Sequence, residues 1–141
     1  MAKNPFVGTW RLVSLEVRTS DGQVSYPRGR DVVGYIIYSG DGYMSVVIMP
    51  ANRPKFVAET LREGSIEEKA AAADTYQSYC GRYEIQGEKV IHHVEASLFP
   101  NLLGVSRERA FKFDGNRLIL SPPPSLVGGI EQTSHLTWER V

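Results

Sequence analysis

The sequence contains little that would mark a secreted or membrane protein. Cys80 is its only cysteine, so no disulfide can form within the chain. Secreted barrels usually carry a bridge, and a lone thiol suits a reducing compartment better. The start, Met1 to Asn4, is too short and polar for a signal peptide, and no apolar run approaches the about 18 residues of a membrane span. We therefore expect a cytoplasmic protein without a membrane partner.

The sequence also lacks an excess of charge and the common motifs for phosphates and metals. Sixteen basic residues balance sixteen acidic ones, so no net field steers the chain onto phosphate backbones. Gly40-x-Gly42 and Gly128-Gly129 lack the strand-to-helix context of a phosphate loop. One cysteine and three histidines, two of them adjacent, are a poor ligand supply for zinc. We expect no nucleic-acid partner, no metal and no cofactor.

What is present is the composition of an ordinary globular domain with a strong β pattern. The chain has 141 residues and is 42% hydrophobic, which fits one domain over residues 1–141. Segments rich in β-branched and aromatic residues alternate with turn residues such as Asp41-Gly42. The eight predicted strands are Thr9 to Thr19, Val32 to Tyr38, Tyr43 to Met49, Gly81 to Gln86, Lys89 to Ala96, Val105 to Phe113, Arg117 to Ser121 and Thr133 to Arg140.

One segment has the features of a helix. Ser65-Ile66-Glu67-Glu68 is a capping box, in which the serine caps and the glutamate reaches back. Four alanines follow at 70–73, and alanine has the highest helix propensity. The sequence predicts a helix from Ile66 to Tyr79. Pro122 to Gly129 holds three prolines and a Gly-Gly pair, so we expect a link without a strand there.

Eight strands joined mostly by short turns predict an all-β fold. An up-and-down antiparallel barrel removes the open edges of such a sheet and is wide enough for one small ligand. A β-sandwich is the competing arrangement. The predicted fold class is therefore an eight-stranded antiparallel up-and-down β-barrel with one inserted α-helix at about 66–79.

Sequence motifs near the first predicted strand and at the end of the last one resemble those of the lipocalins. Gly8-Thr9-Trp10 matches their Gly-x-Trp signature, and Arg140 resembles the late basic residue that packs across that tryptophan. Longer stretches resemble the bacterial and fungal lipocalin-like domain family, a group of calycin-type barrels. These stretches are Gly8 to Ser14, Gly42 to Ser45, Gly81 to Tyr83, His92 to Glu95, Ser97 to Asn101, Gly104 and Arg109.

This resemblance extends from Gly8 to Arg140, and it implies an eight-stranded barrel with a helix between the early and late strands. It implies no reaction, since fold does not settle function. The missing disulfide and signal peptide depart from secreted lipocalins, so their extracellular carrier role does not follow.

Strand alternation predicts which polar side chains face the interior. His92 shares the apolar parity of its strand, and Arg109 shares a face with Phe111. Tyr83 also faces inward, and Glu16 shares the face of Trp10. Each has a structural alternative: Arg109 pairing with Glu16 as a buried ion pair, His92 as a hydrogen-bonded core residue, and Tyr83 as a wall residue.

Several tyrosines lie on elements that can line the cavity or its mouth, among them Tyr38 and Tyr76. A few convergent polar groups in an apolar cavity are typical of a small-molecule site. The candidate ligand-binding residues are Glu16, Tyr35, Tyr43, Tyr79, Tyr83, His92, Arg109 and Phe111.

Three functions follow as hypotheses. The first is a binding protein for a small apolar or amphipathic molecule inside the barrel. The second is a cofactor-independent isomerase or cyclase of a polyketide- or terpenoid-like metabolite, in which His92 moves a proton, Arg109 holds a carboxylate or enolate oxygen and Tyr83 donates a hydrogen bond to it. The third is a protein-association barrel with a filled interior, for which a homodimer is one arrangement. Ser97 and Ser106 have no histidine and carboxylate at recognisable spacing, so a serine hydrolase is not supported.

Overall fold

The computed structural model describes residues 3–141, so Met1 and Ala2 of the predicted polar start lie outside the described residues. Within this range, no helix is long and apolar enough to cross a membrane. The helical elements are α1 (Ile66–Asp74) and a 3-10 turn at Pro100–Leu102. The strands are β1 (Gly8–Thr19), β2 (Val24–Ser25), β3 (Val33–Tyr38), β4 (Tyr43–Met49), β5 (Gln77–Gln86), β6 (Lys89–Ser97), β7 (Ser106–Asp114), β8 (Arg117–Ser121), β9 (Ser125–Val127) and β10 (Ile130–Arg140).

The strands form a closed antiparallel barrel, which confirms the predicted fold class. Eight strands follow one another around it in the order β1-β3-β4-β5-β6-β7-β8-β10. Pairing of β10 with β1, from Trp10 opposite Arg140 to Thr19 opposite Gln132, closes the ring and excludes the β-sandwich. The short β2 and β9 extend β1 and β10. The prediction that Pro122 to Gly129 holds no strand is wrong, because β9 lies there.

The two ends of the barrel differ. The tight β3–β4, β5–β6 and β7–β8 turns and the chain start lie at one end, which we call the closed end. There Arg140 lies over the Trp10 ring, 4.2 Å from guanidinium carbon to ring centroid, and donates to the carbonyls of Pro5 and Val7 at 2.7 and 2.8 Å. The predicted packing of Arg140 on Trp10 is confirmed. The longer connections, including α1, lie at the opposite, open end.

Gly8 precedes Trp10 for a steric reason. Its φ is +135°, and a Cβ there would lie 2.6 Å from Nη1 of Arg140. A glycine at this position therefore leaves room for the guanidinium that covers Trp10.

The helix begins as predicted but ends earlier. The Ser65 side chain accepts from the N–H of Glu68, and the Glu68 carboxylate accepts from the N–H of Ser65. The helix ends at Asp74 rather than at Tyr79, because Gln77 to Tyr79 pair with β4 instead. None of its residues is buried. Arg53 holds its C-terminal end by donating to the Ala72 carbonyl at 3.0 Å.

Two bulges decide which side chains face the interior. In β1 the register shifts between Leu12 and Ser14, so that Leu12 and Leu15 are both buried. Glu16 consequently points outward, and its predicted inward orientation is wrong. The second shift lies opposite Cys80 and Gly81, and it leaves Ala96 exposed.

Candidate functional site

Three buried side chains at mid-barrel are linked by hydrogen bonds into a chain centred on His92, which is 1% exposed. The Tyr38 hydroxyl lies 2.7 Å from His92 Nε2, and the Tyr79 hydroxyl lies 2.7 Å from His92 Nδ1. These residues come from β3, β5 and β6, so barrel closure brings them together. The predicted inward position of His92 is confirmed.

All three members of this chain are neutral at pH 7. Burial, with smaller contributions from Arg109 and Arg107, lowers the pKa of His92 to about 3. Burial also raises the pKa of Tyr38 and of Tyr79. His92 is therefore a hydrogen-bonding imidazole rather than a cation or an efficient base near neutral pH.

These three side chains have one more hydrogen-bond donor than the two hydrogen bonds between them use. A neutral imidazole has one N–H, and each tyrosine has one O–H, so three hydrogens serve two hydrogen bonds. Within residues 3–141 neither the Tyr38 nor the Tyr79 hydroxyl has another hydrogen-bond partner. One tyrosine O–H of this buried chain is thus left without an acceptor among the described residues.

The wall beside this chain is formed by β7. Arg107, Arg109 and Phe111 face inward, as predicted for Arg109 and Phe111, and all three are half-buried. Arg107 lies over the Tyr79 ring at 5.3 Å, and Arg109 donates to the Glu108 carbonyl at 2.8 Å. Burial lowers the pKa of Arg109. This wall therefore carries two guanidinium groups that are less buried than the Tyr38–His92–Tyr79 chain beside them.

The structural alternative in which Arg109 pairs with Glu16 as a buried ion pair is wrong. Glu16 lies outside because of the β1 bulge and instead accepts from Arg18 Nε at 2.5 Å. It lines a shallow hollow of about 290 Å³ on the outer face of the barrel, together with His135. Burial lowers the pKa of His135, whose ring contacts the hydroxyls of Ser121 and Thr133.

A larger pocket of about 550 Å³ lies at the open end. It is bounded by the C-terminal end of α1, the start of β5, the connection after β6, and Arg107. We call it the mouth pocket. Arg107 lines this pocket and also lies over the ring of Tyr79, so it connects the pocket with the hydrogen-bonded chain around His92. Its lining residues are Arg28, Ala73, Asp74, Tyr76, Gln77, Ser78, Ser97, Leu98, Phe99, Pro100, Leu102 and Arg107.

Tyr83 faces inward as predicted but lies at the closed end, away from the mouth pocket. Its hydroxyl donates to the Ser39 carbonyl at 2.8 Å and accepts from Asn4 Nδ2 at 2.9 Å. Both capacities are used, and the ring packs against Phe6 and Tyr38. Tyr83 is thus a packed wall residue, the structural alternative given above.

Three further candidates differ in position. Tyr35 and Tyr43 lie on the outer face and are exposed, so neither lines the interior. Arg82 lies over the Tyr43 ring at 5.7 Å. Phe111 does face inward and packs edge-on against Phe6, with ring centroids 4.9 Å apart.

Sequence reasoning missed two residues of the site. Tyr38 is one of several tyrosines that the sequence places near the cavity, but nothing in the sequence shows that it forms a hydrogen bond with His92. Arg107 shares the inward face of β7 with Arg109, but the candidate residues do not include it. Strand pairing puts Arg107 opposite His92, and that register is not visible in the sequence.

The outer face carries a serine, a histidine and a carboxylate in contact, which spacing did not reveal. His93 Nδ1 lies 2.9 Å from the Ser106 hydroxyl, and His93 Nε2 lies 3.0 Å from Glu84 Oε1. All three side chains lie on the surface of paired strands, whose backbone N–H groups are engaged in the sheet. We interpret these contacts as cross-strand pairs of a paired sheet rather than as a hydrolase site.

Comparison with known proteins identifies the family. The family model of the lipocalin-like domain matches residues 7–141. The chain belongs to this family. It is 35% identical over 107 residues to the 4'-hydroxy-3'-methoxypropiophenone carrier protein ppsC of Aspergillus oryzae, a match that covers 70% of this chain and 96% of that protein. The predicted resemblance to lipocalin-like proteins is confirmed.

A solved structure shows the same fold. The crystal structure of a lipocalin-like protein from Bacteroides uniformis superimposes with a TM-score of 0.50 at 10% identity, covering 98% of this chain and 100% of that one. At this identity the likeness shows the shared barrel and nothing about a ligand.

Acidification is expected to destabilise the fold through His92. An unfolded histidine titrates near ~6.5, whereas burial holds the pKa of His92 at about 3. Between these values only the unfolded state takes up the proton. This contribution to the free energy of unfolding is thus complete above the unfolded pKa and falls by about 1.4 kcal/mol per pH unit as the pH drops towards 3.

Urea unfolding at pH 7 and pH 5 measures this term. His92→Gln should weaken the dependence on pH, whereas His93→Gln, the outward neighbour, should keep it. Equal pH dependence in wild type and His92→Gln would mean that His92 is not held neutral by the fold.

Proposed function

We propose that this protein is a carrier that binds a small amphipathic, aromatic molecule at the open end of its barrel. The observation that carries the proposal is the mouth pocket of about 550 Å³, which Arg107 lines while its guanidinium lies over the ring of Tyr79, a member of the Tyr38–His92–Tyr79 chain. This volume lies in the range of small-molecule sites, roughly 300–1,000 Å³. The single cysteine supports a cytoplasmic location as part of the same proposal.

The pocket suits a molecule with an aromatic body and an acceptor group. Leu98, Phe99 and Leu102 form an apolar side, and the Arg107 guanidinium supplies donors. The Aspergillus relative is named a carrier of 4'-hydroxy-3'-methoxypropiophenone, an aryl ketone with a phenol and a methoxy group. We propose a ligand of this chemical class, with its ring against Phe99 and its carbonyl oxygen facing the donors.

The two other hypotheses have less support. For an isomerase or cyclase, the low pKa of His92 makes it a weak base, and Tyr83 lies at the closed end with its hydroxyl fully used. For an association barrel the interior should be dry and filled, yet the inward arginines of β7 are half-buried. A homodimer stays a prediction.

Calorimetric titration with 4'-hydroxy-3'-methoxypropiophenone tests the carrier proposal. We expect binding to wild type, and Phe99→Ala should weaken it about 3- to 10-fold, because an aromatic contact contributes about 0.5–1.5 kcal/mol beyond area. Phe99 is 57% exposed, so its truncation leaves the fold intact. Leu126→Ala, a 74% exposed apolar residue on β9 outside the mouth pocket, is the matched control and should bind as wild type does.

Two results would count against the proposal. Absence of binding to wild type contradicts this ligand class. Equal weakening by Phe99→Ala and Leu126→Ala contradicts the placement of the ligand in the mouth pocket.

A further inference from the structure

Two cationic side chains face the barrel interior without a carboxylate. Within residues 3–141 the ion pairs are Arg11–Glu139, Arg18–Glu16, Lys89–Glu108 and His93–Glu84, all with partly or largely exposed side chains. Arg107 and Arg109 belong to none of them. Their own contacts are a ring face and a backbone carbonyl, which are weak partners for a charge.

The groups around these arginines do not offset their charge. His92, Tyr38 and Tyr79 are neutral near pH 7, as shown above. Asp74 is the one carboxylate that lines the described mouth pocket, and Arg28 lines the same pocket and donates to the Asp74 backbone carbonyl at 3.5 Å. The open end and the β7 wall therefore hold an excess of positive charge.

A half-buried cation without a partner is costly to keep. The two guanidinium groups are two residues apart on one face of β7, so their charges also repel. Guanidinium groups form short, paired hydrogen bonds with carboxylates, and these are stronger than neutral ones. A ligand that carries its own negative charge would supply the missing partner.

We propose that the aromatic ligand carries, beside or in place of a neutral carbonyl, an anionic oxygen group such as a carboxylate. This group binds Arg107, which lines the mouth pocket, and its strand neighbour Arg109, while the apolar body of the ligand lies in that pocket. This inference rests on the proposed carrier function and names the charge of the molecule carried. It assigns the recognition of that charge to two residues of β7.

The test compares two ligands of nearly the same size and shape, one of which is an anion. 2-Naphthylacetate and 2-naphthylacetamide have the same ring and nearly the same shape, and only the first is an anion at pH 7. Calorimetry should show wild type binding the acid at least about tenfold more tightly, since a hydrogen bond to a charged group contributes about 1.5–3 kcal/mol. Arg107→Gln and Arg109→Gln should each reduce that preference, and the double variant should abolish it.

Lys112→Gln is the matched control, because Lys112 is a cation on the outer face of the same strand. It should keep the wild-type preference. Thermal unfolding without ligand checks the fold of each variant. The double Arg→Gln variant should melt at or above the wild-type temperature, because two repelling charges are removed, and the acid should raise the melting temperature of wild type but not of this variant.

Each outcome separates the charge inference from the carrier proposal. A preference for the acid that needs both arginines supports the inference. Equal affinity of wild type for acid and amide overturns it and leaves the carrier function standing. A preference that survives the double variant places the anion elsewhere, which also overturns the inference. Failure of wild type to bind either compound overturns the inference alone, because the carrier proposal is tested by the titration with 4'-hydroxy-3'-methoxypropiophenone.

Discussion

Trp10→Ala is expected to lower the free energy of unfolding by about 4 kcal/mol, the usual cost of truncating a buried tryptophan. Trp10 is 1% exposed, and its Nε1 donates to the Phe6 carbonyl at 2.9 Å. Its ring face is covered by Arg140. The substitution removes the apolar contacts, the hydrogen bond and the surface on which Arg140 packs, so the closed end of the barrel loses its main packing unit.

The second tryptophan provides a matched comparison. Trp138 is equally buried, but its Nε1 has no hydrogen-bond partner among the described residues. Trp10→Phe should therefore cost more than Trp138→Phe by about 1–2 kcal/mol, because only the first leaves a buried carbonyl without its donor. Urea unfolding of both variants measures the difference. Equal costs would show that the Trp10–Phe6 hydrogen bond adds nothing to stability.

Gly81→Ala is expected to destabilise the barrel by about 3 kcal/mol, at the upper end of overpacking costs. A Cβ at Gly81 would lie 1.8 Å from the His93 carbonyl oxygen and 3.0 Å from the Glu95 nitrogen. Both are backbone atoms of β6, so β5 and β6 would have to separate. His92 precedes His93 in β6, and the change should disturb the site as well as the fold.

Gly40→Ala is the control for this substitution, because nothing lies within 4 Å of a Cβ there and its φ is not positive. It should change the free energy of unfolding by less than about 0.5 kcal/mol. Urea unfolding compares the two variants. If Gly81→Ala were as stable as Gly40→Ala, the close approach of β5 and β6 at the bulge would be wrong.

Strand alternation predicted the interior correctly where strands are regular. His92, Arg109, Tyr83 and Phe111 all face inward, because each strand keeps its period of two up to that residue. The β1 bulge broke this rule for Glu16, since one extra residue reverses the orientation of those after it. A bulge depends on the pairing of two strands, and the β1 sequence alone does not show where its partner slips.

Contacts between distant strands were the other part that the sequence did not reveal. The Tyr38–His92–Tyr79 chain needs the register of β3, β5 and β6, and the Ser106–His93–Glu84 contacts need that of β5, β6 and β7. The sequence predicts the end of the helix at Tyr79 rather than at Asp74 for a related reason. Pairing with β4 draws Gln77 to Tyr79 into β5, and tertiary pairing outweighed local propensity.

We propose above all that a small molecule occupies the mouth pocket at the open end of the barrel. The most direct measurement is a backbone amide NMR titration with 4'-hydroxy-3'-methoxypropiophenone. The account predicts the largest shift changes at the mouth pocket, at residues such as Ser97, Phe99 and Arg107, and little change at the closed end near Trp10 and Arg140. No shift changes, or changes confined to the outer hollow near Glu16 and His135, would contradict it.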